Sequence, residues 1–332
     1  MEKEEYKVSV IIPIYNVRNY ITRCVDSLMK QTLDSVEYIF VNDATTDDSI
    51  DILNNVLRNY PYKKEDIRII SHEKNKGLPA ARNTGLYVAK GEYIFHCDSD
   101  DFVESDMLEN MYNTAQETDA DIVWSDWFLS FESNERYMRQ PCYKTAENAL
   151  KGLLSGVMKY NVWNKLVKRS LYDYNNIKFP SGHGMGEDMT MIRLFACAKN
   201  VTYIPKAYYH YVKINSGAMT NMWTQKHIDD LKYNVTATED YIKQKLGDIM
   251  NEYIAYFKQS VKVHFLISND TRMYRLWNSL FSEANRYIMK NKSVCLRTRI
   301  LQWMAWKKQY WFVWLYYVLI QKMIVNFLLG YK

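Results

Sequence analysis

The sequence has little that would staple or punctuate a fold from outside. Its 332 residues hold five cysteines (Cys24, Cys97, Cys142, Cys197 and Cys295), an odd number, widely spaced and mostly inside apolar segments. That pattern excludes a disulfide framework or a Cys-based zinc site and points to reduced thiols in a cytoplasmic setting. No Pro-, Gly- or Ser-rich linker, internal repeat or low-complexity tract divides the chain. The N-terminal "MEKEEYK" mixes acids with bases, and Pro13 interrupts the apolar run behind it, so no secretory signal is expected. Neither a P-loop nor GxGxxG is present, which disfavours an ordinary P-loop kinase and a Rossmann dinucleotide site. Acidic residues are missing from one region: Ile288 to Lys332 carries eight Lys and Arg and no Asp or Glu, so the net charge of +5 becomes −3 without it. The basic character belongs to this tail, and no nucleic-acid partner is expected for the body.

What is present is a large apolar fraction, 48%, enough for one large domain with an appendage or for two domains. "VSVIIPIY" (8–15) is a β-branched run of strand length, and behind it Tyr20, Ile21, Cys24, Val25, Leu28 and Met29 recur at helical spacing. The alternation continues through strand 36–41, a helix from about Asp48 to Asn59, strand 67–71, a helix from Pro79 to Ala89 and strand 92–97. Strands alternating with helices imply βαβ units and a parallel sheet. A helix over Met107 to Thr118 and strand candidates in "ADIVWSDWFLSF" and at 201–212 follow, and from about Thr224 the pattern is helical. A soft boundary is expected near 220, giving domains 1–220 and 221–332.

In open α/β sheets ligands bind beyond the carboxyl ends of the strands. The loops there, "NDATTDDS", "HEKNKGLPAARNTG" and "DSDDF", should therefore converge on one rim. In "CDSDDF", closely spaced carboxylates can hold Mg²⁺ or Mn²⁺, yet the same aspartates suit a solvated turn or a helix cap. Asp47 and Asp48 sit where an N-cap and a first-turn carboxylate belong. Asp43 lies at the carboxyl end of the second strand, placed for a base or ribose. Arg82, one turn into its helix, offers a fork of donors to an anion or to a rim aspartate. Glu187 and Asp188 open a helix after a Gly-rich approach, which alone reads as an acidic first turn.

In this order and spacing, "VSVIIPIYN", "VNDATTDDS", "NKGLPAARNTG", "GEYIFHCDSDD", "WNKL" and "GEDM" resemble the family 2 glycosyltransferases of GT-A fold, especially bacterial enzymes that build surface polysaccharides, over roughly residues 7 to 220. The resemblance implies an α/β fold with a mostly parallel central sheet flanked by helices and a helical C-terminal region. It also implies a nucleotide-sugar donor, most often a UDP-sugar, Mn²⁺ or Mg²⁺, and inverting transfer to a hydroxyl of a glycan or lipid-linked acceptor. Carried over residue by residue, Pro13, Tyr15 and Asp43 line the nucleobase pocket, and Arg82 stands beside the base, ribose or diphosphate. Asp98 approaches the ribose, Ser99 follows it, and Asp100 ligates the metal with Asp98 beside it. Lys213 matches a segment that lies over the diphosphate in relatives, many of which carry Arg there. Asp188 matches the catalytic base of an ED motif and Glu187 its acceptor-positioning partner. Trp163 and Lys165, in a W-x-K element, are expected near the acceptor together with Asp101. A nucleotidyltransferase would share the aspartates and metal but needs an N-terminal Gly-rich phosphate loop; a non-catalytic nucleotide-sugar binder or scaffold is the third reading.

The tail, 296–329, clusters Trp303, Trp306, Trp311 and Trp314 among basic residues, and its longest uncharged run, Gln309 to Gln321, is shorter than the ~20 residues of a spanning helix. It suits a helix lying in an anionic inner leaflet, with the protein peripheral on the cytoplasmic face, or a helix packed on protein or on a homodimer partner.

Overall fold

The structure, a computed structural model, describes residues 6–213 and 223–320. The boundary expected near 220 and residues 321–329 of the tail lie outside them.

Four strands from the expected βαβ units form the first half of the sheet: β1 (Val8–Ile14), β2 (Val36–Asn42), β3 (Ile67–Ser71) and β4 (Tyr93–His96), all parallel in the order β3-β2-β1-β4. All seven residues of β1 are buried, as a continuous β-branched run covered on both faces requires. Helix α1 (Ile21–Met29) buries Ile21, Cys24, Val25, Leu28 and Met29, its expected stripe, each contributing roughly 1.5–3 kcal/mol of transfer free energy. Helices α2 (Ser49–Leu57) and α3 (Leu78–Val88) complete the crossovers. A Cβ on Gly85 would stand 2.4 Å from Ile11 Cγ2, so glycine lets α3 press against β1. That seats Arg82, one turn earlier, below the strand ends.

Beyond β4 the sheet becomes mixed. It continues through β5 (Phe102–Val103), helix α4 (Met107–Thr118), β6 (Ile122–Ser130), β7 (Glu135–Met138), α5 (Ala146–Leu154), β8 (Lys165–Lys168), α6 (Arg169–Tyr174), α7 (Thr190–Phe195) and β9 (Val201–Val212). The full order is β3-β2-β1-β4-β8-β6-β9-β5, with β7 on β6. β8 runs antiparallel to both β4 and β6, while β6 and β9 pair in parallel. Strands β5, β7 and β8 are too short to show a period of two in sequence, which is why the mixed half was not anticipated.

By internal contacts the chain divides into two compact units, one of Met1–Ala149 with Tyr160–Tyr241 and one of Leu150–Lys159 with Ile242–Lys332. Helix α8 (Gln225–Leu246) lies largely in the first. The second is helical, with α9 (Asn251–Lys262), α10 (Thr271–Ser279), α11 (Leu296–Trp306) and α12 (Tyr310–Tyr316). Its core includes Phe257, Leu266 and Trp277, and Lys262 lies buried against the Trp277 ring with its Nζ donating to Asn285 Oδ1 at 2.8 Å. Among the described residues no helix is long and apolar enough to cross a membrane.

Candidate active site

Parallel pairing brings the ends of β1, β2 and β4 to one rim. Backbone bonds from Asp43 to Ile14 (3.0 Å), His72 to Asn42 (2.9 Å) and Cys97 to Ile11 (3.0 Å) lock the exits in register. Tyr15 is exposed there, whereas Pro13 is buried within β1 opposite Val41 and presents nothing to the rim. Asn16, in the left-handed region at φ 54°, accepts from the Thr46 N–H and hydroxyl, tying the first loop to the second. Asp47 Oδ1 accepts from the Ser49 N–H at 3.1 Å and so does the capping, while Asp48 pairs with Arg18.

Asp43 is buried, and its carboxylate accepts from His72 Nδ1 (2.7 Å) and from the N–H groups of Lys76 and Gly77 (both 2.8 Å). Here it organises loop 72–77 rather than reaching for a base. Gly77, at φ 84°, then opens α3. Arg82 is 1% exposed and pairs inward: Nη2 lies 3.0 Å from Asp98 Oδ1 and 3.7 Å from Glu187 Oε1. Its Nε and Nη1 are buried without a hydrogen-bond partner. Burial opposes its charge, but Asp98, Glu187 and Asp188 outweigh that and hold its pKa above the ordinary value. Of the partners expected for Arg82, an anion or a rim aspartate, the structure shows the ion pair with the rim aspartate Asp98.

The three aspartates of "CDSDD" divide. Asp98 and Asp100 are partly exposed on the turn, with Ser99 buried between them. Asp101 is 1% exposed and accepts from the Tyr209 hydroxyl and the Val212 N–H, both at 2.7 Å. Burial, then the charges of Asp100 and Asp98, push its pKa well above the ordinary aspartate value, which disfavours its charged form. Tyr209 also accepts from the Asp98 N–H at 3.1 Å, so one phenol fixes both ends of the turn. Asp98 and Asp100, partly exposed on one turn, are hard oxygen donors of the type a divalent cation takes. No group of three His, Cys, Asp or Glu among the described residues could hold a metal unaided.

Opposite them Gly186, at φ 87°, turns the chain into the short helical turn Glu187–Met189. Burial raises the pKa of Glu187 well above normal, with the Asp188 charge adding to it. Burial also raises Asp188, to about 6, with Arg82 pulling it down. With its pKa at about 6, Asp188 is a carboxylate at neutral pH. Asp188 Oδ1 is buried without a hydrogen-bond partner. Lys165, expected at the acceptor, is instead 1% exposed, its Nζ donating to the Asn161 carbonyl (2.7 Å) and Asn164 Oδ1 (2.8 Å). Burial lowers its pKa to about 7 against the opposing pull of Asp188. Trp163 is buried too, stacked on Tyr209 at 4.5 Å and Tyr211 at 5.3 Å. Trp163, Lys165 and Asp101 are therefore supports beneath the rim, not acceptor contacts, because apolar stacking and internal donors hold them inside.

Lys213 is exposed at the end of β9. His210 bridges Glu135 (2.7 Å) and Glu104 (2.9 Å) between the rings of Phe102 and Phe128. Sequence reasoning gave no role to Tyr209, His72 or the polar face of α8, since each acts across at least 29 residues of chain.

Residues 9–196 match the family described as Glycosyl transferase family 2. The chain belongs to that family. EpsH of Bacillus subtilis is 32% identical over 66% of this chain and 64% of its own length. The glycosyltransferase GlyA of Streptococcus pneumoniae is 30% identical over 77% of this chain and 37% of its own length. The chain thus spans less than two thirds of either relative. Among solved structures, S. aureus TarS 1-349 in complex with UDP-GlcNAc superposes with a TM-score of 0.66 at 21% identity, covering 94% of this chain and 91% of that one. The family 2 member therefore has the expected α/β GT-A architecture, with its sheet parallel in the first half and mixed in the second.

Proposed function

We propose that this family 2 protein transfers a sugar, hexosyl or N-acetylhexosaminyl, from a UDP-sugar to a hydroxyl of a glycan or lipid-linked acceptor, with inversion. One observation carries the reading: Arg82 Nη2 is shared by Asp98 at 3.0 Å and Glu187 at 3.7 Å, so the turn after β4 and the Glu187–Asp188 pair meet at one guanidinium. The TarS neighbour, solved with UDP-GlcNAc, supports the choice of donor.

Asp188, ionised above about pH 6, takes the proton of the acceptor hydroxyl as that oxygen attacks the anomeric carbon. The bond from that carbon to the β-phosphate oxygen breaks on the opposite face, and the nucleoside diphosphate leaves with the electron pair. Glu187, disfavoured as an anion by burial, stands beside the base and orients it. Arg82 holds Asp98 and balances the acidic cluster from below. Asp100, with Asp98, would hold Mn²⁺ or Mg²⁺, which would supply positive charge to the diphosphate. Tyr15 offers an exposed ring at the rim for the base, and Lys213 an ammonium for the phosphates. The deciding experiment compares Asp188→Asn with the parent chain: donor binding by calorimetry should be retained and transfer lost. A variant with full transfer rate removes Asp188 as the base.

The tail is assigned to the surface of an anionic bilayer, on its cytoplasmic side. On α11 the exposed positions are Leu296, Arg297, Ile300 and Trp303, with Lys307 just past its end; on α12 and its continuation they are Trp311, Trp314, Leu315 and Leu319. Both sets recur at helical spacing, and no acidic residue interrupts 288–320. An apolar aromatic stripe with basic flanks matches the headgroup boundary of an anionic leaflet, and a lipid-linked acceptor would be met there.

A further inference from the structure

Four side chains on one face of α8 grip successive positions of the loop that leads into Glu187 and Asp188. Lys226, Asp230, Tyr233 and Asn234 stand at i, i+4, i+7 and i+8 along the helix. Lys226 Nζ donates to the Gly182 carbonyl at 2.9 Å. Asp230 accepts from the Gly184 N–H at 3.1 Å and faces His183 Nδ1 at 3.2 Å, while Lys226 neutralises it at 3.1 Å. The ring of Tyr233 stacks on that of His183 at 3.7 Å and 12°. Asn234 Nδ2 donates to the carbonyls of His183 (3.1 Å) and Met185 (2.9 Å). Asp230 and Asn234 are 4% and 1% exposed, so these are interior bonds, little weakened by competition with water.

The loop is held only in part by its own turns, His183 N–H to the Pro180 carbonyl (3.0 Å) and Glu187 N–H to the Gly184 carbonyl (3.3 Å), and Asn83 of α3 binds it earlier, at Phe179 and Ser181. Gly182 and Gly186 are both left-handed, at φ 85° and 87°, and residues 177–186 carry no strand or helix. A glycine-rich segment without a ladder samples many paths, and the groups that bind its backbone decide which one it takes. The bonds and ring contact of the four α8 side chains go to the peptides or the imidazole just before Glu187 and Asp188.

We propose that Asp230 and Asn234, with Lys226 and Tyr233, are positioning residues: α8 reads the backbone of 182–185 and through it fixes where the Asp188 carboxylate stands. The proposal rests on Asp188 being the base. Reactions of this kind are sensitive to placement, a 1 Å displacement being enough for a loss of order 10²-fold.

The test is a kinetic cycle on the full chain with UDP-GlcNAc as the donor probed first and the other UDP-sugars after it. Asn234→Ala and Asp230→Ala should lower kcat by about 10- to 100-fold while the donor KM and the calorimetric donor affinity change by less than about twofold. Asp230→Asn, which keeps an acceptor for the Gly184 N–H, should recover part of the loss and serves if either alanine variant folds poorly. In an Asp188→Asn background, Asn234→Ala should change the residual rate by less than about twofold, because the group it positions is already gone. Equal losses in both backgrounds, or kcat and donor affinity falling together with thermal stability, would mean a structural role and overturn the proposal. An Asp188→Asn variant with unimpaired transfer would instead sink the assignment of the base, a separate and recognisable failure.

Discussion

Arg82 Nη2 lies 3.0 Å from Asp98 Oδ1, joining the interior of α3 to the turn after β4 at the centre of the site. The guanidinium is buried, and Asp98, Glu187 and Asp188 all act on it. Replacing it with methionine leaves those carboxylates with no cation among them. Breaking a buried pair costs roughly 3–5 kcal/mol, and the partial exposure of Asp98 sets the expectation for Arg82→Met at about 3 kcal/mol. Chemical denaturation measures this directly, and donor affinity should fall as Asp98 loses its orientation. A variant as stable as the parent contradicts the central place given to this pair.

The pH dependence of transfer follows from Asp188. Its pKa of about 6 lies above the unfolded value of 3.8, so kcat/KM should fall about tenfold per pH unit below about pH 6. In stability the sign is opposite to that of an ordinary salt-bridged Asp: between about 4 and 6 the folded chain binds more protons than the unfolded, so this group's contribution falls as pH rises. Lys165, lowered from 10.5 to about 7, is protonated in the unfolded chain and neutral in the folded one between those limits, so its contribution rises with pH there. Lys165→Met should remove that rise. Unfolding midpoints across the alkaline range, compared for parent and variant, test it.

Asp101 and Asp100 should separate cleanly. Asp101 accepts from Tyr209 and the Val212 N–H in a buried site that disfavours its charge, so Asp101→Asn should fold and bind donor nearly as the parent does. Asp101→Ala leaves both donors unpaired and should cost about 1–3 kcal/mol. Asp100→Asn should leave stability alone and abolish the strengthening of UDP-sugar binding by Mn²⁺, read by calorimetry with and without a chelator. Equal metal dependence in variant and parent would remove Asp100 as a ligand.

The tail is tested by replacing Trp311, Trp314 and Leu315 with serine and measuring co-sedimentation with phosphatidylglycerol vesicles. The parent should bind and release at high salt, as a screened basic surface does, and the triple variant should not bind. A parent chain that ignores anionic vesicles and sediments as a dimer assigns the stripe to a second copy instead.

Much of the architecture is legible in the chain because it rests on local periodicity. The buried run 8–14, the helix at 107–118 and the strand at 201–212 carry complete patterns over enough residues to declare themselves. The loop motifs after the strands carry enough of an ordered signature to place the family. Strands β5, β7 and β8 do not, since two to four residues hold no period and exist only because a partner strand pairs with them.

By itself, then, the sequence determined which residue types stand at the strand ends and that those ends share a rim, because strand and helix periods and βαβ chirality are local rules. Tertiary structure alone decided which way each of those side chains turns. Asp43 and Arg82 face inward to His72 and Asp98; Asp101 is claimed by Tyr209, 108 residues away; Trp163 and Lys165 become buried supports; and α8 takes hold of the loop before Asp188. The reason is physical: a buried polar group must find its partner wherever the fold brings one, and nothing in local spacing says where that will be.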